Sequence, residues 1–157
     1  MNSAYAQGNP GDFARPGPAT ERMAYYAQVR TELNDMLIRW QRAFQSDEAM
    51  ALAAFYAETA SYYPANAGPL NTRLSIQEFF VSHLRTVADV QLQMVGFGTS
   101  GDLAYVTARV TQYAQSNTGT IKPVVSTDLF VFRRQNSRIW RIETQLTQPD
   151  GADKPLP

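Results

Sequence analysis

Ser126–Thr147 reads STDLFVFRRQNSRIWRIETQLT, and its pattern decides the fold. Two apolar-rich runs flank a polar break at Arg133–Arg138. The first carries one acid, Asp128, among Val125, Leu129, Phe130, Val131 and Phe132. In the second, Trp140, Ile142, Thr144 and Leu146 alternate with Arg141, Glu143 and Gln145. Period-two alternation on both sides of a short polar turn predicts two adjacent strands. Asp128 is the anomaly, because burying an unpaired carboxylate is costly. It needs a wet face, a partner, or a cavity to line, and the function turns on which of these it has.

The strand pattern continues upstream. Leu103–Tyr113 puts Ala104, Val106, Ala108 and Val110 on one face and Leu103, Tyr105, Thr107, Arg109, Thr111 and Tyr113 on the other. Val90, Leu92 and Met94 alternate with Gln91 and Gln93 up to Gly96–Gly98, and Thr99–Asp102 reads as a turn. Ile121–Arg133 is the third long strand, after a polar loop at Gln115–Gly119. Before Val87 the period is about 3.6. Thr20 is the expected N-cap, with Glu21 in the first turn. From there Tyr26, Val29, Leu33, Met36, Leu37, Trp40, Ala43 and Phe44 form one apolar stripe of a long helix. Ser46–Glu48 reads as a break, and Ala49–Tyr56 as a short helix with Leu52, Phe55 and Tyr56 inward. Ala60–Tyr63 is a candidate short strand, followed by a loop at Pro64, Gly68 and Pro69. Ser75 and Glu78 fit a capping box, opening a helix that turns Ile76, Phe79, Phe80, His83, Leu84 and Val87 inward.

Helices first and strands afterwards predict an α+β fold. Three N-terminal helices would pack on a curved antiparallel or mixed sheet, with a pocket between the layers. The chain has 157 residues, which predicts one domain. Its expected limits are 20–148, with an N-terminal tail at 1–19 and a C-terminal tail at 149–157. Fourteen basic and fourteen acidic residues cancel, so no charge excess points to nucleic acid or to an anionic membrane. The absence of cysteine excludes disulfides and thiol chemistry. No apolar run approaches the ~18 residues of a membrane span. The first residues lack the basic and apolar regions of an intact signal peptide, so a cytoplasmic location is the default expectation.

The Trp40–Phe44 segment, Phe55-Tyr56 followed by Ala57–Tyr63 and a proline, the Ile76–Phe80 helix start, and Thr127-Asp128, Arg133-Arg134, Trp140-Arg141-Ile142 and Gln145-Leu146-Thr147 together carry a family likeness. Over roughly Tyr26–Thr147 the chain resembles the NTF2-like superfamily, and within it the SnoaL-like and DUF4440-type proteins. That resemblance implies a cone-shaped domain with an interior pocket, often a homodimer formed through the sheet. It implies no single activity, since isomerases, dehydratases, polyketide cyclases and binding modules share the fold. DUF4440-like chains often carry histidines on the last strand, near Thr144 or Leu146, and this sequence does not.

Within that frame Asp128 is the expected general base or acid, if an apolar pocket raises its pKa. Pairing with Arg109 or Arg141 on a neighbouring strand is the structural alternative. His83 is the one side chain that ordinarily titrates near neutrality, and Tyr63 completes the expected catalytic set. Tyr56, Tyr63, Tyr105 and Tyr113 are candidate phenolic donors to a ligand carbonyl, or else packed aromatics. Trp40, Phe44, Tyr56, Phe80, Met94, Tyr105, Phe130 and Gln145 are the expected pocket wall. One His, no Cys and no acids at ligand spacing argue against a metal site, and no cofactor-binding loop pattern occurs. The favoured reading is a domain that binds a small, largely apolar molecule and dimerises through its sheet. Its alternatives are a cofactor-independent isomerase, dehydratase or cyclase using Asp128 as base, and an assembly module with a filled interior.

Overall fold

A computed structural model describes residues 18–136 and 138–151. Most of both expected tails therefore lies outside the described residues. Helix α1 spans Ala19–Gln45 and buries Val29, Leu33, Met36, Leu37, Trp40, Ala43 and Phe44, the stripe expected from the spacing. It starts two residues earlier than expected. Pro18, not Thr20, precedes it, and the Pro18 carbonyl accepts from the Glu21 and Arg22 amides at 2.9 and 3.1 Å.

The second helix, α2, is only Ala49–Ala53, where Ala49–Tyr56 was expected. Tyr56 instead opens strand β1, Tyr56–Tyr63, because it pairs with Ile142 in the sheet. Sheet pairing here overrides a local helical pattern. Helix α3, Arg73–His83, begins before the expected Ser75 cap. Thr72 and Ser75 form the capping box instead: the Ser75 amide donates to Thr72 Oγ1 at 3.1 Å, and the Thr72 amide to Ser75 Oγ at 3.2 Å. The serine hydroxyl takes the role expected of Glu78.

A 3-10 turn at Leu84–Thr86 leads into four long strands. These are β2 (Val87–Ser100), β3 (Leu103–Gln115), β4 (Ile121–Gln135) and β5 (Ile139–Pro149). The sheet order is β1-β5-β4-β3-β2, with β1 parallel to β5 and the remaining pairs antiparallel. The fold is α+β: helices cover one face of a curved mixed sheet.

A bulge in β5 positions the interior polar groups. Ile142 is opposite Phe132 and Thr144 opposite Val131, so Glu143 is the extra residue. Such an insertion reverses the facing of every later residue on the strand. Trp140 and Ile142 face the helices, as the alternation predicts. Beyond Glu143 the phase flips, and Gln145 and Thr147 face inward while Leu146 stands 44% exposed on the outer face.

Candidate functional site

Five of the residues expected to wall a pocket form a solid aromatic core instead. Trp40 lies 5.5 Å from Phe44, 6.3 Å from Phe80 and 6.2 Å from Phe130, ring centre to ring centre. Tyr56 lies 6.0 Å from Phe80. All five are buried. The edge-to-face and tilted arrangements let large rings fill space without voids, so the hollow expected beneath Trp40 is occupied by side chains.

Asp128 points into this core from β4, 3% exposed. It forms neither of the expected ion pairs. Arg109 is on the opposite face and pairs with Asp150 at 2.8 Å. Three donors meet the carboxylate: Ser126 Oγ at 2.7 Å on Oδ1, and Gln145 Nε2 at 2.8 Å and Thr147 Oγ1 at 2.7 Å on Oδ2. Gln145 Oε1 in turn accepts from the Tyr56 hydroxyl at 2.5 Å, and Trp40 Nε1 donates to that hydroxyl at 3.3 Å. Thr147 Oγ1 also meets the Tyr62 hydroxyl at 3.4 Å. Burial raises the Asp128 pKa above the usual carboxylate range, against the pull of these three hydrogen bonds. Burial also raises Tyr56 and Tyr62, with the Asp128 charge adding to both.

The open cavity lies at one end of the layers, between α3, the loop after β1 and the ends of β3 and β4. Its volume is about 460 Å3. Tyr62, Phe79, His83 and Gln112 form the part nearest the core, and Val87, Ala114 and Val124 give it apolar walls. His83 Nε2 donates to Gln112 Oε1 at 2.9 Å, since an amide oxygen only accepts. The imidazole stacks on Phe79 at 4.9 Å and meets the edge of Phe44 at 6.0 Å. Burial lowers the His83 pKa, partly opposed by the Gln112 bond.

The expected catalytic set is not brought together. His83 lines the cavity. Asp128 does not reach its wall and touches it only through Thr147 and Tyr62. Tyr63 is on the outer face of the sheet, 41% exposed. Tyr105 is also on that outer face, its ring lying across the backbone of Gly98, where a Cβ would collide with it. Met94 is half-buried beside α1 and borders a shallow groove there. Gln145 is inside, but as a partner of Asp128 rather than as pocket wall. Tyr62 and Gln112 were missed. Gln112 carried a signal, because it continues the inward stripe Ala104, Val106, Ala108, Val110. Tyr62 and Thr147 carried none, since β1 lacks clear alternation and the bulge hides the facing of Thr147.

No group of three or more metal-binding side chains lies together among the described residues. No helix among them is long and apolar enough to cross a membrane. No curated protein is similar enough in sequence to match the chain. Solved structures share the fold at low identity. A ketosteroid isomerase-like protein from Erwinia carotovora atroseptica is 20% identical, with a TM-score of 0.67, covering 75% of this chain and 93% of its own. An NTF2-like protein with a cystatin-like fold from Novosphingobium aromaticivorans is 18% identical, with a TM-score of 0.71, covering 88% and 94%. A conserved protein from Planctomyces limnophilus is 12% identical, with a TM-score of 0.69, covering 79% and 99%. Residues 37–142 match the SnoaL-like domain, from within α1 to the inward turn of β5. That match takes in most of the sheet and all of the aromatic core, and the chain belongs to the SnoaL-like domain family of NTF2-like proteins.

Proposed function

We propose that the protein binds a small, largely apolar molecule in the cavity between α3 and the ends of β3 and β4, and dimerises through the outer face of its sheet. The observation that carries the ligand reading is the 460 Å3 space, which has apolar walls and a hydrogen-bonded His83–Gln112 pair on one side. Its size suits a one- or two-ring ligand with a single polar group. Phe79 offers a ring face for stacking, and His83 Nδ1 is left to accept from a ligand hydroxyl while Nε2 serves Gln112. Calorimetric titration with 2-naphthol tests this. Saturable binding is expected, weakened about tenfold by Phe79→Ala. Binding that Phe79→Ala leaves unchanged contradicts it.

A second reading, a cofactor-independent isomerase, dehydratase or cyclase, is favoured by one observation. Tyr62 joins the cavity wall to Asp128 through Thr147, a line of hydroxyls that can reverse direction. A substrate proton taken up by the Tyr62 oxygen would be matched by transfer of the Tyr62 proton to Thr147 and of the Thr147 proton to Asp128. Asp128 would then be the base acting at a distance, with its pKa raised by burial.

A further inference from the structure

A second concavity, about 790 Å3, runs between α1 and the first residues of β5. The strand is uncovered there, because β1 begins its pairing only at Ile142. Arg39 and Arg42 come from α1, Arg138 from the turn between β4 and β5, and Arg141 from the start of β5. Arg73, at the start of α3, bonds the Tyr56 carbonyl through Nε at 2.8 Å and lies close enough to Arg141 to repel it. Among the described residues, no carboxylate stands at ion-pair distance from Arg39, Arg42, Arg73, Arg138 or Arg141. Glu32, at the groove's edge, is already engaged by Arg134 Nη2 and Trp140 Nε1, each at 2.9 Å. Asp35 is the other acid in the lining. Apolar surface adjoins the cations, with Ile139 53% and Ile38 43% exposed beside Phe55.

We propose that this groove is a second binding site, taking a phosphate group carried on an apolar or aromatic body. Guanidiniums gathered from α1, the β4–β5 turn and β5 repel one another and present planar forks that match phosphate oxygens. A multiply charged anion satisfies several of them at once, where a single carboxylate would leave most unpaired. Burial, then the like charges of Arg73 and Arg39, disfavours the charged form of Arg141, as an unfilled anion site would. The phosphate can belong to a free small molecule or to a lipid headgroup.

Calorimetry of the full chain with phenyl phosphate, and sedimentation with phosphatidylcholine vesicles containing phosphatidic acid, tests the site and separates the two sources. Saturable binding of phenyl phosphate is expected, tighter than that of inorganic phosphate. Arg39→Gln and Arg141→Gln are each expected to weaken it about tenfold, while Arg85→Gln, in the 3-10 turn after α3, leaves it unchanged. Arg39 is exposed on α1, so its variant keeps the test valid if Arg141→Gln fails to fold. Binding to the vesicles alone, lost in the same two variants, assigns the phosphate to a headgroup. The proposal is overturned by no binding in either assay, or by binding that both arginine variants retain.

Discussion

Asp128 is held by three donors and no cation, and that combination sets how the protein responds to pH. The donors stabilise the carboxylate, and burial opposes it more strongly. The folded pKa therefore lies above the unfolded one, so the native state binds the proton more tightly. Stability contributed by the protonated acid is present at low pH and lost as pH rises through the folded pKa. Urea unfolding of the protein and of Asp128→Asn at a series of pH values reads this directly. The variant is expected to gain on the wild type as pH rises from about 4, and a wild type that gains on the variant would refute the assignment. His83 works in the opposite sense. Its lowered pKa favours the neutral ring in the folded state, so its contribution is present above the ordinary histidine range and lost as pH falls through the folded value.

At the scale of elements, the β5 bulge decides what the interior contains. Glu143 itself is half-exposed, and its carboxylate meets Arg133 Nε at 2.8 Å on the outer face. Its side chain matters little to the fold, but its place outside the ladder lets Ile142 and Gln145 both face inward. Were the full sequence to alternate strictly, with Glu143 paired in the ladder, Gln145 and Thr147 would turn outward and leave Asp128 with only Ser126. Thr147→Val, which strips one donor from the buried carboxylate, is expected to cost about 1–3 kcal/mol in urea unfolding, while Glu143→Ala stays close to wild type. Equal effects of the two changes would refute the register.

The same element shows what the sequence could and could not disclose. Period two was legible in Trp140-Arg141-Ile142, and period 3.6 in the stripe from Val29 to Phe44, because burial of one face enforces both. One inserted residue leaves no mark in composition, so strict alternation sets Gln145 facing outward with Arg141. That Asp128 faces inward was legible from its phase with Phe130 and Phe132. Its partners were not, because they sit on a strand whose phase had changed. Trp40, Phe44, Tyr56, Phe80 and Phe130 lie in the interior, whereas Tyr105 stands on the outer face. Whether rings enclose a hollow or fill it depends on their relative tilt, which no spacing encodes.

For the whole molecule, the helices cover one sheet face and leave the other open. Leu103, Tyr105, Tyr63 and Leu146 are each more than 40% exposed there, a partly apolar surface suited to a second copy. Light scattering at micromolar concentration is expected to give twice the monomer mass, and Leu146→Arg is expected to halve it. A wild-type protein of monomer mass counts against the pairing. The central claim concerns the opposite face, where one end of the layers stays open beside His83 while the middle is filled by rings. The most direct measurement is two-dimensional amide NMR during titration with 2-naphthol. The account predicts shifts concentrated at Tyr62, Phe79, His83, Gln112 and Ala114. Shifts centred on the outer sheet face or on the Arg39–Arg141 groove, or none at saturating probe, would contradict it.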